Sequence, residues 1–356
     1  MERCNAEGLV GAEGFTVDAS LIRPDVHRQR AVPGKEMLPS ETAGRAVAEY
    51  LAVQDEAAFG SPTPVTPKRT NITNPASRWA AATRASAFYA YSTNCLTVFD
   101  HAVIADVEAT TAVRQAEVLA QRRIIERTQD RLGLRPERLV ADTAYGSAPN
   151  LAWLVGDRGI EPHIPAFDKS PRRADTFDRP AFIFDHEDDS CICRGDDRIR
   201  QSNRNFSTAL QSVNADGFIR HRARDKECGA CGLKEQCTPK VAACQVRRSV
   251  HEGARYLARD IATSDAYLIS RRQRKKVEML FAHLKRKLKL DRLRLRGPNG
   301  ANEFHLASTC SEPPETRQDT ADAASRSRLS GRKDRAPAVS CGGPPAPTAT
   351  FQRNRV

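Results

Sequence analysis

The sequence offers nothing long enough to cross a bilayer. It has no run of about 18 apolar residues, the minimum for a spanning helix, so no membrane span is expected. Its first residues, MERCNAEGLVGAEGF, lack the charged-then-apolar order of a secretory leader. The expectation is a cytoplasmic protein whose ten cysteines stay reduced. Hydrophobic residues are also scarce, at 40%, so part of the chain is expected as loop or tail. One familiar catalytic motif is missing. His251-Glu252 begins like a zinc-protease signature, but no second His follows at the required spacing.

What is present is positive charge. The net charge of the 356 residues is +12. Such a surface attracts polyanions, and nucleic acid is the commonest of them. Charge alone also fits a merely cationic surface. The length suits one large domain or two modest ones with a real core.

Apolar periodicity gives the organisation. Alternation in Gly14–Ile22 predicts a strand. A short helix is expected over 41–53 and extended chain over 61–67. Strands are expected over 87–92 and 101–107, then a helix over 111–132 whose Val113, Ala116, Leu119, Ala120 and Ile124 share a face. A short buried strand over 138–142, a helix over 147–155 with Ser147 as its cap, and a strand over 160–164 follow. The order predicts an α/β fold with a mixed sheet and flanking helices. Residues 1–167 are read as the first part of the core and 168–250 as a charged insertion, with five cysteines between Cys191 and Cys237. Residues 251–308 are read as helices closing the core, with a break near Thr263 and a stop by Gly297-Pro298. Residues 309–356 have almost no large apolar side chains and are expected to be disordered. The abrupt change of composition near residue 309 suggests a shifted reading frame.

Three acids stand out. Asp18 lies inside the first strand pattern and Asp142 ends another, Leu-Val-Ala-Asp. A carboxylate at a buried strand end is unusual unless it is paired or metal-bound, although a cap or turn role explains either one alone. Glu278 lies on a helix whose stripe is Val277, Leu280, Phe281, Leu284 and Leu288. Arg274 and Lys285 share its face, at spacings of four and seven. Ordinary i,i+4 ion pairing would explain that face equally well. Converging acids can hold two divalent ions that activate an attacking oxygen and stabilise a leaving one. Oxygen ligands suit Mg²⁺, or Mn²⁺ in its place.

These residues resemble the insertion-sequence transposases of the DDE type. That family carries Tyr, two residues, Arg, three residues, Glu, six residues, Lys; here Arg274, Glu278 and Lys285 fit, and Arg271 stands at the Tyr position. Val17-Asp18-Ala19-Ser20 resembles the family's first acid motif, and Ala141-Asp142-Thr143-Ala144-Tyr145 its second. The resemblance runs over roughly residues 8 to 308. It implies a ribonuclease-H-like fold and metal-dependent DNA cleavage and strand transfer. It also implies Mg²⁺ on Asp18, Asp142 and Glu278, DNA contacts from Arg271, Arg274 and Lys285, and a homodimer on DNA. Asn74 stands where the family's pattern has Asp. Only 17 residues precede Asp18, so the helical end-binding region usual before the first catalytic strand is expected to be absent. The alternative reading is therefore a truncated, inactive remnant that only binds DNA. A third is a small zinc-binding interaction protein, which predicts that the three acids lie far apart.

Cys228, Cys231 and Cys237 lie within ten residues, and Cys193 is the expected fourth member of a Cys₄ zinc site, in preference to Cys191. The competing reading is reduced structural thiols. Cys4, Cys95, Cys244, Cys310 and Cys341 carry no spacing signal.

Overall fold

The alternating GFTVDASLI segment forms β1 (Gly14–Ile22), the central strand of the fold. It is followed in the computed structural model by β2 (Ala31–Pro33), α1 (Arg45–Ala52), β3 (Arg69–Asn71) and β4 (Arg78–Ala80). Next come β5 (Phe88–Val98), β6 (Ile104–Thr111), α2 (Arg114–Leu132) and β7 (Arg138–Val140). A 3-10 turn (Thr143–Tyr145), α3 (Ala148–Ala152), a π turn (Trp153–Asp157) and β8 (Glu161–His163) complete this half. The structure describes residues 4, 7–8, 10–27, 29–34, 44–52, 67–81, 86–99, 101–167, 176–177, 181–185, 187–201, 213–214, 217–287 and 289–302. All belong to one compact unit, Met1–Pro313. The expected extended chain over 61–66 and the tail over 309–356 fall outside the described residues, as do Leu288 and the side chain of Leu280.

The main sheet has six strands in the order β4-β5-β1-β7-β8, with β6 also paired to β5. β5 pairs antiparallel with both β1 and β6, whereas β1, β7 and β8 run parallel to one another. This is the mixed sheet that the element order predicts. β5 is longer than the 87–92 segment suggests. Ser92, Thr93 and Asn94 sit fully buried in its middle, where strand pairing on both edges satisfies the backbone and overrides polar composition. Hairpin pairing of Tyr91 with Thr111 likewise carries β6 to Thr111, past the 107 boundary read from sequence.

Each face of β1 has its own core. Phe15 and Val17 pack with Ile124 and Ile125 of α2 and with Leu151 and Leu154 beyond β7. Ile22, on the other face, packs with Tyr91, Leu284 and Phe281. α2 buries Ala116, Ala120 and Ile124 of the expected stripe together with Ile125, while Val113 and Leu119 are only partly buried; it ends at Gly133 with φ 66°, a left-handed C-terminus that suits glycine. Ser147 stands at the start of α3 but makes no side-chain cap bond. Its carbonyl accepts from Asn150 and Leu151 instead.

The middle of the chain forms small sheets, one of β9 (Ile183–Asp185), β10 (Ser190–Ile192) and β11 (Arg198–Arg200), the other of β12 (Phe218–Arg222) and a later strand. Two short helices, α4 (Asp225–Ala230) and α5 (Lys234–Cys237), precede that strand, β13 (Gln245–Ser249). Helix α6 (Glu252–Ala262) and helix α7 (Asp265–Arg286) then return to the main sheet. The expected break near Thr263 is real: Thr263 closes α6, and the Ser264 hydroxyl caps α7 by accepting from the Tyr267 amide.

Candidate active site

Strand register brings the two aspartates together. β1 and β7 pair in parallel, Gly14 with Arg138 through Thr16 with Val140. That pairing ends two residues before each aspartate, and the two carboxylates stand close enough for Asp142 to raise the pKa of Asp18. The Thr16 hydroxyl donates to the Val140 carbonyl at 3.0 Å and ties the strands just before the acids. Beyond Val140 the chain leaves the sheet, and Asp142 caps the following turn by accepting from the Ala144 amide at 2.7 Å. The turn-cap reading of Asp142 thus holds. Asp18 accepts from the Ala19 amide at 2.9 Å, leaving its second oxygen for a cation.

Helix α7 supplies that cation. Arg274 Nη2 lies 3.5 Å from Asp18 Oδ2 and 3.7 Å from Glu278 Oε1, so one guanidinium bridges β1 and α7. Val277, one residue before Glu278, is buried with Val140 and Phe99 and fixes the helix against the strand that ends at Asp142. Burial raises the pKa of Asp18; Arg274 and the Ala19 amide oppose this, and Asp142 and Glu278 add to it. Asp18 therefore senses both of the other expected acids. Arg271 and Arg274 line an open cleft with Asp142, Thr143, Pro165 and Tyr267. Lys285 is turned inward: it donates to the Leu21 carbonyl at 3.0 Å, and burial lowers its pKa against the pull of Asp291 and Asp18.

Two neighbours of this site, Glu117 and Tyr267, went unread in the sequence, and a third, Tyr145, was noted only as part of the second acid motif. Glu117, on α2, is a partly buried acid whose carboxylate accepts from the Ser92 hydroxyl at 2.7 Å. Burial raises its pKa; the Ser92 bond opposes this, and Asp142 and Asp18 add to it. The signal was available, since an acid directly after Ala116 on an apolar stripe is out of pattern. Tyr145 is 1% exposed and its hydroxyl has no hydrogen-bond partner. Burial, then Glu117, Asp18 and Asp142, drive its pKa well up. Tyr267 stands one helical turn before Arg271, at the cleft wall, where no motif spacing pointed.

Asn74 is not part of this group. It is fully buried and accepts a short hydrogen bond from the Tyr91 hydroxyl, and Tyr91 pairs with Ile22, four residues beyond Asp18.

A hard divalent cation needs carboxylate oxygens, and a cation already stands among these: the Arg274 guanidinium occupies the gap between Asp18 and Glu278. The donor chemistry fits Mg²⁺ or Mn²⁺. Among the described residues, however, no group of three or more His, Cys, Asp or Glu side chains is set to hold a metal ion without rearrangement. Arg274 would have to swing away for the acids to close on an ion.

The four expected zinc ligands, Cys193, Cys228, Cys231 and Cys237, line one small pocket, joined there by Cys244. Cys191 faces the adjoining apolar cluster instead.

A family model described as a transposase DDE domain matches residues 60–311. Asp142 and Glu278 fall inside that span and Asp18 precedes it. No curated protein and no solved structure matches the chain.

Proposed function

The chain belongs to the transposase DDE-domain family, and from that premise we propose that it cuts phosphodiester bonds at the ends of an insertion sequence and joins them to target DNA, with Asp18, Asp142 and Glu278 as its catalytic acids. The observation carrying this reading is the register of β1 on β7 together with the Arg274 bridge, which links the three acids across strands and helix. The antiparallel β6-β5-β1 and parallel β1-β7-β8 order supports a ribonuclease-H-like core. The acids would hold divalent ions, which when bound supply an activated attacking oxygen and stabilise the leaving one.

The rest of the reaction falls to the chain itself. Asp18 and Asp142 are held by the Ala19 and Ala144 amides, and Asp142 lines the cleft. Arg271 and Arg274, on the cleft wall beside Asp142, grip phosphates of the DNA. When DNA and metal arrive together, Arg274 exchanges its carboxylates for a phosphate. Lys285 holds α7 to the Leu21 carbonyl and so sets the depth of Glu278. The expected zinc takes no part in this chemistry.

The test is cleavage and joining of a plasmid carrying the DNA that flanks the gene, with Mg²⁺ or Mn²⁺. Metal-dependent strand transfer that Asp142→Ala abolishes supports the assignment. DNA binding without metal-dependent cleavage in the parent favours the remnant reading instead.

A further inference from the structure

Five cysteines from three separated stretches of chain meet at one pocket: Cys193 after β10, Cys228, Cys231 and Cys237 around α4 and α5, and Cys244 before β13. All are free thiols. Among the described residues its buried apolar cluster is small: Cys191, Ile199, Ala223, Ala243, Cys244 and Val246, with Phe182 and Phe184 partly buried against it. The sheets beside it have strands of three to five residues. So few apolar groups are a weak basis for order in small folds, which commonly rely on metals or cross-links.

The sulfurs are turned toward one another. A Cβ on Gly195 would lie 3.4 Å from Cys231 Sγ and 3.7 Å from Cys193 Sγ, so these two flank the same point of the β10–β11 turn. That turn is closed by Cys193 itself, whose amide donates to Asp197 and whose carbonyl accepts from Asp196, both at 3.0 Å. Cys244 behaves differently from the other four. It is buried, whereas they are partly exposed. Its amide donates to Cys228 Sγ at 3.3 Å, and its thiol stands within hydrogen-bonding reach of Cys237. Lys234 and Arg194 line the same pocket and would offset the charge of thiolates.

We propose that Cys193, Cys228, Cys231 and Cys237 bind one structural Zn²⁺ as thiolates, and that Cys244 is the positioning residue that donates hydrogen bonds to the sulfurs of Cys228 and Cys237. Four sulfurs complete a tetrahedral shell, which leaves the fifth for the outer role that such sites generally need. No three of the thiols stand at ligand geometry among the described residues. Binding therefore draws them inward, to Zn–S distances of about 2.3 Å, with loss of their protons. This inference stands apart from the DNA chemistry, because its ligands are thiols and its spectroscopic signature is theirs.

The experiment uses the full chain, purified with a thiol reductant. Zinc is measured by atomic emission, and Co²⁺ is titrated into the metal-stripped protein while thiolate-to-cobalt charge transfer and tetrahedral d–d absorption are followed. Parent, Cys231→Ser, Cys244→Ala and Cys191→Ser are compared. One zinc per parent chain is expected, with full cobalt bands. Cys231→Ser should lose most of the charge-transfer intensity. Cys244→Ala should keep one metal per chain but bind it on the order of 10–100-fold more weakly, and Cys191→Ser should match the parent. A parent with no zinc and no thiolate bands overturns the site, whether or not the variants fold. An unchanged affinity, or a lost equivalent of metal, in Cys244→Ala overturns the role given to Cys244.

Discussion

Arg274 carries two duties that a single residue name conceals. In the free protein it is the counter-charge for Asp18 and Glu278; on DNA it is assigned to a phosphate. Replacing it with Gln should weaken DNA binding across sequences and lower the slope of log affinity against log salt by about one. Fluorescence anisotropy over a range of salt concentrations measures this, and an unchanged slope would remove Arg274 from the DNA interface. A second single-residue test concerns Glu117. Its bond from Ser92 is the first opposing influence on a carboxylate that burial disfavours. Ser92→Ala leaves a part-buried acid without that donor and should cost about 1–3 kcal/mol of stability, read from urea unfolding. Asp18 and Asp142 stood out in the sequence because each interrupts or ends an apolar pattern, and Glu278 because Arg274 and Lys285 share its face. The surroundings of Tyr145 and Cys244 could not be read there, since they come from neighbours distant along the chain, and spacing carries no such information.

The turn after β7 is the element on which the site depends. Arg114 of α2 donates to the Thr143 and Ala144 carbonyls, both at 2.9 Å, and Asn150 of α3 donates to the Tyr145 carbonyl at 2.9 Å. Gly146 closes the turn against the next segment. A Cβ there would stand 1.9 Å from the Pro165 carbonyl oxygen and 2.8 Å from the Phe167 amide. Both contacts are backbone, so neither can yield without moving chain. Gly146→Ala should destabilise the protein by about 1–3 kcal/mol, visible as a lower thermal midpoint, and should weaken metal binding through Asp142. A midpoint equal to that of the parent would mean the turn is softer than its contacts indicate. α6 holds a second dependency. Glu252 is fully buried and faces Arg255 at 3.2 Å and Arg259 at 3.4 Å, while Arg255 also donates to the Phe167 carbonyl at 3.0 Å. Glu252→Ala leaves a buried guanidinium without its acid, a loss of about 3–5 kcal/mol that denaturant unfolding would show. β1, α2, β7 and β8 were readable from the sequence pattern, whereas β2, β3 and β4, of three residues each, are too short to show a period. The length of β5 was not readable either, because its central Ser92, Thr93 and Asn94 owe their burial to strands on both sides.

At the scale of the molecule, the main sheet and the cysteine-bearing region differ in what holds them. The sheet has apolar clusters on both faces, and its mixed topology followed from element order. The cysteine region has short strands and few buried apolar groups, so composition revealed only what it lacked. Each region also buries a histidine. His163 is 1% exposed and His221 is 0% exposed. Burial lowers both pKa values below the ordinary 6.5, with Glu161 and Asp189 respectively opposing it. Above about pH 6.5 both are neutral whether folded or unfolded. As pH falls below that value the unfolded chain takes up protons that the folded chain resists, so stability declines toward the folded pKa values. Replacing both by Gln should shrink the fall in thermal midpoint between about pH 7.5 and about pH 5.5; an identical fall in parent and variant would exclude these histidines as its source.

The central claim is that acids from β1, the end of β7 and α7 form one cation site. Calorimetric titration of Mn²⁺ into the purified parent and into Asp142→Ala tests it most directly. The account expects saturable binding in the parent and its loss in Asp142→Ala, with both proteins folded by circular dichroism. Folded protein that binds no Mn²⁺, or a variant that binds it as well as the parent, would contradict the shared site.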